Sequence, residues 1–451
     1  MRSGGGSEGA SEKTNKEMEV CMWYVLKNKD VEVVRFELKV ANETIEDESF
    51  YYLDNVQVVN QKLLPYTFSL SDKCIEDHLE DWIKSRKIPK NRAFVKEIVK
   101  SLQLNPDNFL SYVDVTLALS LNDTYWVVPA DQNYLWKDHN LYENSFNETL
   151  ALVAFTGASA KLKGLVTTPE LTTNGMLKKC WHKNAVSSNI ELLKGWSVLG
   201  HNEYGKEPYC EYYMAQVAAT LGFEHVSYDL QEFHGEIVSS CELFTSQQYG
   251  YLPMLDCLDK NLLKELFKER NRNKMVQTIM GVYGKEKFQD LLLFDALTFN
   301  TDRHLGNFGM LIDNNTNELV RPAPIFDNGM AFFNHITEYD LDNIPAYFTD
   351  ERSALGMSFS RQLEIACQPR HTEPLLKLAN FTFTRHKQYN LPEEWLQAGE
   401  KFIQQRSQEI IQIIAKKQTK SQETPLHSQI LPTQPTQQHK EPPTPSKGRS
   451  R

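Results

Sequence analysis

The sequence lacks any run of the roughly 20 apolar residues that a membrane-spanning helix requires, and its first residues contain no apolar core of a secretory signal. Its seven cysteines include no CxxC pair and are odd in number, which argues against a disulfide framework or a zinc site. Positive charge is not in excess either: the formal net charge is −10, which gives no support to a broad nucleic-acid-binding surface. We therefore expect a cytoplasmic protein with reduced thiols, and neither a membrane nor nucleic acid as a direct partner.

The composition is sufficient for more than one folded unit. The 451 residues are 41% hydrophobic and 11% aromatic, which predicts two domains with sizeable cores. The two ends differ from the rest: residues 1–17 are rich in Gly, Ser, Glu and Lys, and residues 417–451 are basic and rich in Pro, Gln and Thr. We expect both segments to be disordered. For the basic tail we favour a solvated segment without a role over an interaction tail.

Residues 18–150 have the pattern of a small α+β domain. The β-branched stretches "CMWYVLKN" and "VEVVRFELKV" flank a polar turn and predict a hairpin. Apolar residues recur at helical spacing in the segment 75–83, and two further helices are predicted over 94–102 and 106–119. Nothing in this region indicates a chemical role.

From residue 151 the pattern changes to short strands that surround one helix. Three strands are predicted at 164–171, 176–183 and 190–196, a helix at 207–223, and two more strands at 225–230 and 236–244. The segment 246–416 is mainly helical, with predicted helices at 260–269, 272–283, 285–298, 360–367, 372–379 and 393–416. A β-rich region at 151–245 is thus followed by a helical region at 246–416.

Two loops between apolar segments carry the residues of greatest chemical interest. Asp302 and Asn307 lie five residues apart in "FNTDRHLGNFGMLIDNN", and Asp327 follows 20 residues later in "PIFDNGMAFF". Phosphoryl transfer requires a cation that neutralises the phosphates and a group that orients the attacking hydroxyl. Mg²⁺ takes hard oxygen ligands such as carboxylates and amides. The three side chains are of the right types for this chemistry.

We assign Asp302 as the catalytic base and Asn307 and Asp327 as Mg²⁺ ligands, with ATP as the phosphoryl donor. The separation of Asp302 from Asn307 equals the Asp-to-Asn spacing of the catalytic loop of protein kinases. Either loop alone is more often a structural turn, but their combination and order favour phosphoryl transfer. Arg303 could contact a phosphate or brace the loop, and we expect His304 to be held in a buried loop by backbone hydrogen bonds.

A kinase also needs a cation for the phosphates of the nucleotide. Lys194 shares one face of a predicted strand with apolar residues, so its charge requires a buried partner. Glu211 lies on the apolar stripe of the next helix and is the first candidate for this partner, and Glu207 is the alternative. The alternative, which we favour less, is an exposed lysine at the end of the strand.

The loop that covers the phosphates is less well determined by the sequence. Thr172, Thr173, Asn174 and Gly175 form a "TTNG" segment whose backbone N–H groups and hydroxyls could face a phosphate. A plain hairpin turn would have the same sequence. The upstream segment "FTGASAKLKG", residues 155–164, competes for the same role.

The segments "NTDRHLGNFG" and "PIFDNG" resemble the signature of HipA-like serine/threonine kinases, roughly N-x-D-R-H-x-x-N followed by I-x-D-x-G. The resemblance covers about 151–415, favours Glu211 over Glu207, and assigns the hinge that reads adenine to "CELF", with Glu242 and Phe244 as nucleotide-binding residues. It implies an α+β fold of two lobes: a divergent protein-kinase-like fold with a β-rich N-lobe and a helical C-lobe, preceded by the small N-terminal domain. The segment "TTPELTTNG" is closer to the compact, single-gene branch of the family.

The resemblance implies ATP- and Mg²⁺-dependent phosphorylation of Ser or Thr hydroxyls on a protein substrate, by an enzyme that could be a toxin or effector. An antitoxin or another regulatory protein is then a candidate partner. A small-molecule or lipid kinase with the same catalytic loops is the first alternative, and a catalytically silent binding module is the second. Asp302, Asn307, Asp327 and Lys194 are all intact, which counts against a silent module.

Overall fold

The computed structural model describes most of the chain between its two ends, namely residues 21–45, 48–105, 109–184, 188–197, 205–268 and 271–423. The predicted disordered segment 1–17 and most of the predicted tail, residues 424–451, lie outside this part. Residues 417–423 were expected to belong to the tail, but they continue the last helix of the fold. Within the described residues, no helix is both long and apolar enough to cross a membrane.

The first structural unit of the described chain contains an antiparallel sheet. Its strands are β1 (Cys21–Asn28), β2 (Val31–Ile45), β3 (Glu48–Val58) and β4 (Tyr125–Pro129), in the order β3-β2-β1-β4. β1 and β2 form the predicted hairpin. Alternate residues of both strands, such as Leu26 and Phe36, are fully buried and pack with the first helix. The sequence analysis did not predict β3 or β4.

Five helices accompany this sheet: α1 (Ile75–Lys84), α2 (Val95–Ser101), α3 (Phe109–Thr116), α4 (Trp136–His139) and α5 (Glu148–Thr156). The first three lie within the predicted helical segments. α5 begins where the Asn147 side chain accepts a hydrogen bond from the Leu150 N–H, 2.9 Å away, and ends at Gly157, whose φ is 73°. The predicted domain boundary after residue 150 therefore falls inside a helix.

A second four-stranded sheet forms the N-lobe. Its strands are β5 (Lys179–Lys183), β6 (Ile190–Lys194), β7 (Asp229–Phe233) and β8 (Glu236–Glu242), in the order β5-β6-β8-β7, and α6 (Glu207–Leu221) crosses between β6 and β7. The prediction of a strand at 164–171 is wrong, because these residues, which the structure describes, form no strand. The backbone of this segment bonds instead to the N-terminal unit, with the Val166 N–H donating to Val115 O and Thr167 O accepting from the Asn147 N–H. Pro169 also offers no N–H to a neighbouring strand.

The C-lobe is helical, as predicted, and contains one small sheet that was not predicted. The helices are α7 (Lys260–Leu266), α8 (Arg272–Tyr283), α9 (Lys285–Thr298), α10 (Phe332–His335), α11 (Ile344–Tyr347), α12 (Phe359–Ala366), α13 (Thr372–Leu376) and α14 (Glu393–Glu423). The strands are β9 (Tyr249–Pro253), β10 (Gly309–Asp313) and β11 (Glu318–Pro322), in the order β11-β10-β9. α9 is buried along its whole length from Phe288 onward and lies in the core of this lobe.

The order of these elements confirms the predicted fold class, an α+β chain with a β-rich lobe followed by a helical lobe. It also places the two chemical loops. One loop connects the buried helix α9 to β10, and the other follows β11. Because β10 and β11 are paired antiparallel neighbours, the end of β11 returns to the start of β10. The two loops therefore lie next to each other beside the N-lobe.

Candidate functional site

Lys194 and Glu211 form a buried ion pair at the end of β6. The Lys194 ammonium lies 2.7 Å from Glu211 Oε1 and also contacts the Asp327 carboxylate. The lysine is only 8% exposed and the glutamate is fully buried. The structure thus places the pair where the sequence analysis expected it, and Lys194 is not an exposed strand-end residue. Glu207, the alternative partner, instead accepts a hydrogen bond from the Ser197 N–H at 3.2 Å.

Electrostatics favour the charged forms of Lys194 and Asp327. Burial alone would raise the pKa of Asp327, but the nearby ammonium groups of Lys194 and Lys179 outweigh it and lower the pKa below its usual value. Burial would likewise lower the pKa of Lys194, but the Asp327 and Glu211 carboxylates raise it above its usual value. The pKa of Glu211 is raised instead, because the effect of its complete burial exceeds that of the Lys194 charge, which lowers the pKa.

The loop that carries Asp302 and Asn307 begins where α9 ends. Phe299 takes a left-handed φ of 50° and turns the chain out of the helix. The Asn307 side chain then closes the loop: its Nδ2 donates to the Asp302 backbone oxygen at 3.0 Å and approaches Asp302 Oδ2 at 3.5 Å. Burial raises the pKa of Asp302, and the negative charge of Asp327 raises it further. The charges of the two aspartates therefore act on each other.

Arg303 braces the two loops and does not reach toward a phosphate. Its guanidinium is completely buried, pairs with Asp295 on α9 at 3.1 Å, and donates to the Asn307 backbone oxygen at 2.8 Å. It also contacts the Phe326 backbone oxygen, which immediately precedes Asp327. The expectation for His304 is correct in one part and wrong in the other: its Nδ1 accepts a backbone hydrogen bond from the Gly306 N–H at 3.0 Å, but the residue is exposed and not buried.

Asp327 adopts a backbone conformation that is uncommon for a residue with a side chain. Its φ is 57°, in the left-handed region. The Tyr228 hydroxyl accepts from its N–H at 3.2 Å, and Glu211 Oε2 accepts from the N–H of the next residue, Asn328, at 2.7 Å. Such conformations persist where surrounding contacts hold them, and they concentrate at functional sites.

The hydroxyls of the "TTNG" segment are occupied within the protein. The Thr173 hydroxyl donates to Pro169 O at 2.8 Å and accepts from Trp181 Nε1 at 2.9 Å. The Thr172 hydroxyl is 3.3 Å from both Leu119 O and Pro169 O. These hydroxyls therefore do not stand ready for a phosphate, and the expectation that they do is not supported.

The end of the same segment does lie beside the site. Lys179 donates from Nζ to Asn174 O at 2.6 Å, and Gly175 has a φ of 94°. The competing segment 155–164 turns away instead, because the Leu162 N–H donates to Ser101 O in α2. Of the two candidate cover loops, the structure brings Asn174 and Gly175 close to the lysines of the site.

The sequence analysis missed Lys179. This residue is 5% exposed and sits directly opposite Lys194 in the β5–β6 register. Burial and the neighbouring Lys194 charge lower the pKa of Lys179 to about 7. The only sequence signal was the "KK" within the predicted strand "MLKKCWHK", and nothing in the sequence gives the register that aligns the two lysines.

The two residues of the predicted hinge, Glu242 and Phe244, have different surroundings. The Glu242 carboxylate accepts from Asn189 Nδ2 at 2.6 Å on the surface, so its side chain does not enter the cleft. The Phe244 ring packs against Tyr251 and Phe326, with centroids 5.5 and 5.4 Å apart. This apolar cluster adjoins Asp327 through Phe326, and the sequence analysis missed Tyr251 and Phe326 as parts of it.

The donor set fits Mg²⁺ better than a softer metal. No group of three or more His, Cys, Asp or Glu side chains in the described part of the chain could by itself hold an ion. Mg²⁺ needs fewer protein ligands than that, since it usually keeps several waters and takes one or two carboxylates together with substrate phosphates. Asp327 keeps 29% of its side chain exposed. Asn307 turns its nitrogen toward Asp302 and thereby leaves its amide oxygen for another partner.

Comparisons with known proteins were made by family model, sequence and structure. No family model matches the chain. A serine/threonine-protein kinase, CtkA of Helicobacter pylori, is 31% identical over 134 residues, which cover 28% of this chain and 40% of CtkA. The chain thus spans less than half the length of this curated relative. The match confirms the predicted resemblance to serine/threonine kinases over the part of the chain that it covers.

The solved structures that are similar to this chain include the following two. The proinflammatory kinase CtkA of Helicobacter pylori is 20% identical, with a TM-score of 0.42 over 55% of this chain and 94% of that one. HipA of Shewanella oneidensis, in a complex with HipB and operator DNA, is 12% identical, with a TM-score of 0.44 over 87% of this chain and 97% of that one.

Proposed function

We propose that this chain transfers a phosphoryl group from ATP, with Mg²⁺, to a Ser or Thr hydroxyl of a protein substrate. One observation carries the proposal: the buried Lys194–Glu211 pair contacts the Asp327 carboxylate, and the charge of Asp327 acts on Asp302 in the neighbouring loop. Four separate parts of the chain supply these groups, namely β6, α6 and the two loops, and each group matches a requirement of phosphoryl transfer or holds one that does.

The proposed roles follow from the charges of the side chains. Lys194 and Lys179 bind phosphate oxygens, while Glu211 holds Lys194 in place. Asn307 and Asp327 hold Mg²⁺, which when bound neutralises charge on the phosphates. Because its neighbours keep Asp327 ionised, it is ready to act as a ligand.

Asp302 orients the acceptor hydroxyl and takes its proton. Its carboxylate is partly buried, and Asn307 fixes its position from one side. Burial and the charge of Asp327 raise its pKa, which makes it a stronger proton acceptor than an exposed aspartate. Phe244, Tyr251 and Phe326 supply an apolar surface suited to an adenine ring.

The test compares wild type, Asp302→Asn and Asp350→Asn in the presence of γ-labelled ATP, Mg²⁺ and a protein extract. Asn keeps the shape of Asp302 but cannot take a proton, so we expect transfer to fall by about 10²–10⁴-fold. Asp350 is an exposed aspartate outside the site, and its variant should behave as wild type. Wild-type turnover in Asp302→Asn would refute the proposal.

The same experiment separates the alternatives. Label on protein Ser or Thr supports the proposal, whereas label only on a metabolite or a lipid indicates the small-molecule or lipid kinase. No transfer by wild type indicates the silent module. HipA was solved together with HipB. For this chain, an antitoxin or another regulatory protein as partner remains a prediction.

A further inference from the structure

We infer that Asn328 is a positioning residue that joins the Lys194–Glu211 pair of the N-lobe to the catalytic loop of the C-lobe. The inference rests on the proposed phosphoryl transfer. It adds a residue that contacts neither ATP nor the acceptor protein and acts only through the side chains that it positions. Asn328 directly follows the proposed metal ligand Asp327, and it is completely buried.

Asn328 is held from two sides. Its backbone N–H donates to Glu211 Oε2 at 2.7 Å, while the other oxygen of Glu211 accepts from Lys194 at 2.7 Å. Its side-chain Oδ1 accepts from Arg303 Nη2 at 2.9 Å. Asn328, Glu211 and Arg303 all have no solvent exposure. A continuous buried polar chain thus runs from Lys194 through Glu211 and Asn328 to Arg303.

The far end of this chain reaches the catalytic groups. Arg303 donates to the backbone oxygens of Asn307 and Phe326, so its position sets the backbone of both chemical loops. Asn328 Oδ1 fixes one nitrogen of the guanidinium. A displacement of Arg303 would therefore move Asn307 relative to Asp327, and a small misplacement at such a site can cost much of the rate.

The orientation of the Asn328 amide shows which of its contacts the fold retains. Its Nδ2 is buried and has no hydrogen-bond partner among the described residues. Turning the amide over would place this donor against the donors of Arg303, so the contact with Arg303 keeps Nδ2 unpaired. An unpaired buried donor destabilises a fold. A leucine of similar size would avoid that cost but would leave a buried N–H of Arg303 without its acceptor, so the asparagine is explained by the guanidinium that it holds.

The test uses the full chain with Asn328→Leu, Asn328→Asp and the control Gln362→Leu. Gln362 is also a fully buried amide with an unpaired atom, Oε1, but it bonds to Ser353 away from the site. We expect Asn328→Leu to lower kcat about ten- to a hundredfold. The KM for ATP should change less than about threefold, because Glu211 keeps its backbone partner. Asp retains an oxygen for Arg303 and should restore most of kcat, while Gln362→Leu should change neither constant.

Wild-type kcat in Asn328→Leu, an equal loss in Asn328→Asp, or a parallel loss in Gln362→Leu would each overturn the inference. A second readout does not need turnover. Hydrogen exchange of the His304 and Asn307 amides, which donate within the catalytic loop, should become faster in Asn328→Leu, while α6 stays unchanged. Unchanged exchange in the loop would overturn the inference even if the wild-type chain transferred no phosphate, a result that would refute the proposed function separately.

Discussion

Replacing Arg303 by methionine removes the guanidinium that faces Asp295 in the core of the C-lobe. Both side chains are completely buried, and the pair is joined through Nη2 and Oδ1 at 3.1 Å. Removing one partner of a buried ion pair leaves a charge without compensation and costs about 3–5 kcal/mol. The backbone oxygens of Asn307 and Phe326 lose a donor as well. We therefore expect a loss at the upper end of that range.

The thermal midpoint measures this loss. In a chain of 451 residues each kcal/mol corresponds to about 1–2 °C, so Arg303→Met should lower the midpoint by about 5 °C or more. The double variant Arg303→Met/Asp295→Leu removes both charges and should recover at least half of the shift, because no charge is left unpaired. A shift below about 3 °C for the single variant, or no recovery in the double variant, would refute the reasoning.

The pH dependence gives a further check on the same pair. Burial raises the pKa of Asp295 in the folded chain even though Arg303 opposes it. Without Arg303 this pKa should rise further. A group whose pKa is raised by folding favours the folded state when protonated, and this contribution is lost as the pH rises through the folded pKa. The deficit of Arg303→Met should therefore be smaller at pH 5 than at pH 8.

Two more predictions concern the nucleotide and the hinge. Since its pKa is about 7, Lys179 carries more positive charge at pH 6 than at pH 8. The loss of Mg-ATP affinity in Lys179→Met, measured by calorimetry, should therefore be larger at pH 6 than at pH 8. An equal loss of affinity at the two pH values would show that Lys179 does not bind the phosphates. In Gly250→Ala the new Cβ would lie 2.5 Å from Asn122 O, which should cost about 1–3 kcal/mol. Gly281→Ala, on an open helix face, should instead stabilise by about 0.5–1 kcal/mol, and equal midpoints for the two variants would contradict this account.

The sequence predicted the helices because their apolar spacing is strong and local. α9 and α14 begin at or near the predicted residues, and the Lys194–Glu211 contact followed from two periodicities, alternation on β6 and the buried stripe of α6. Short strands were harder. β9, β10 and β11 have five residues each, and a run this short does not distinguish a strand from a buried helix segment. β9 also pairs with β10, which lies far from it in the sequence.

The parts of the site that were missed depend on contacts between distant segments. Lys179 is defined by its register against Lys194, and register is a property of two strands together. Pro169 and its neighbours have the composition of a strand, but their backbone bonds to residues of the N-terminal unit. The bracing role of Arg303 was open in the sequence because its partner Asp295 lies on the opposite side of the turn at Phe299.

The contacts of the N-terminal unit constrain how the cleft can open. Near the hinge, Thr245 donates to Leu121 O at 2.6 Å, and the Tyr251 N–H donates to Asn122 O at 2.7 Å. The same unit reaches the N-lobe through α5, whose buried Val153 and Phe155 share a core with Cys180 of β5. Because one unit contacts both the N-lobe and the start of the C-lobe, a change in the angle between the lobes must break contacts at one of the two places. The contacts on the C-lobe side are hydrogen bonds, which also include Asn28 to Asn314 O and Asn317 to Leu64 O, whereas the contact with β5 is an extended apolar core. We therefore expect the N-terminal unit to move together with the N-lobe.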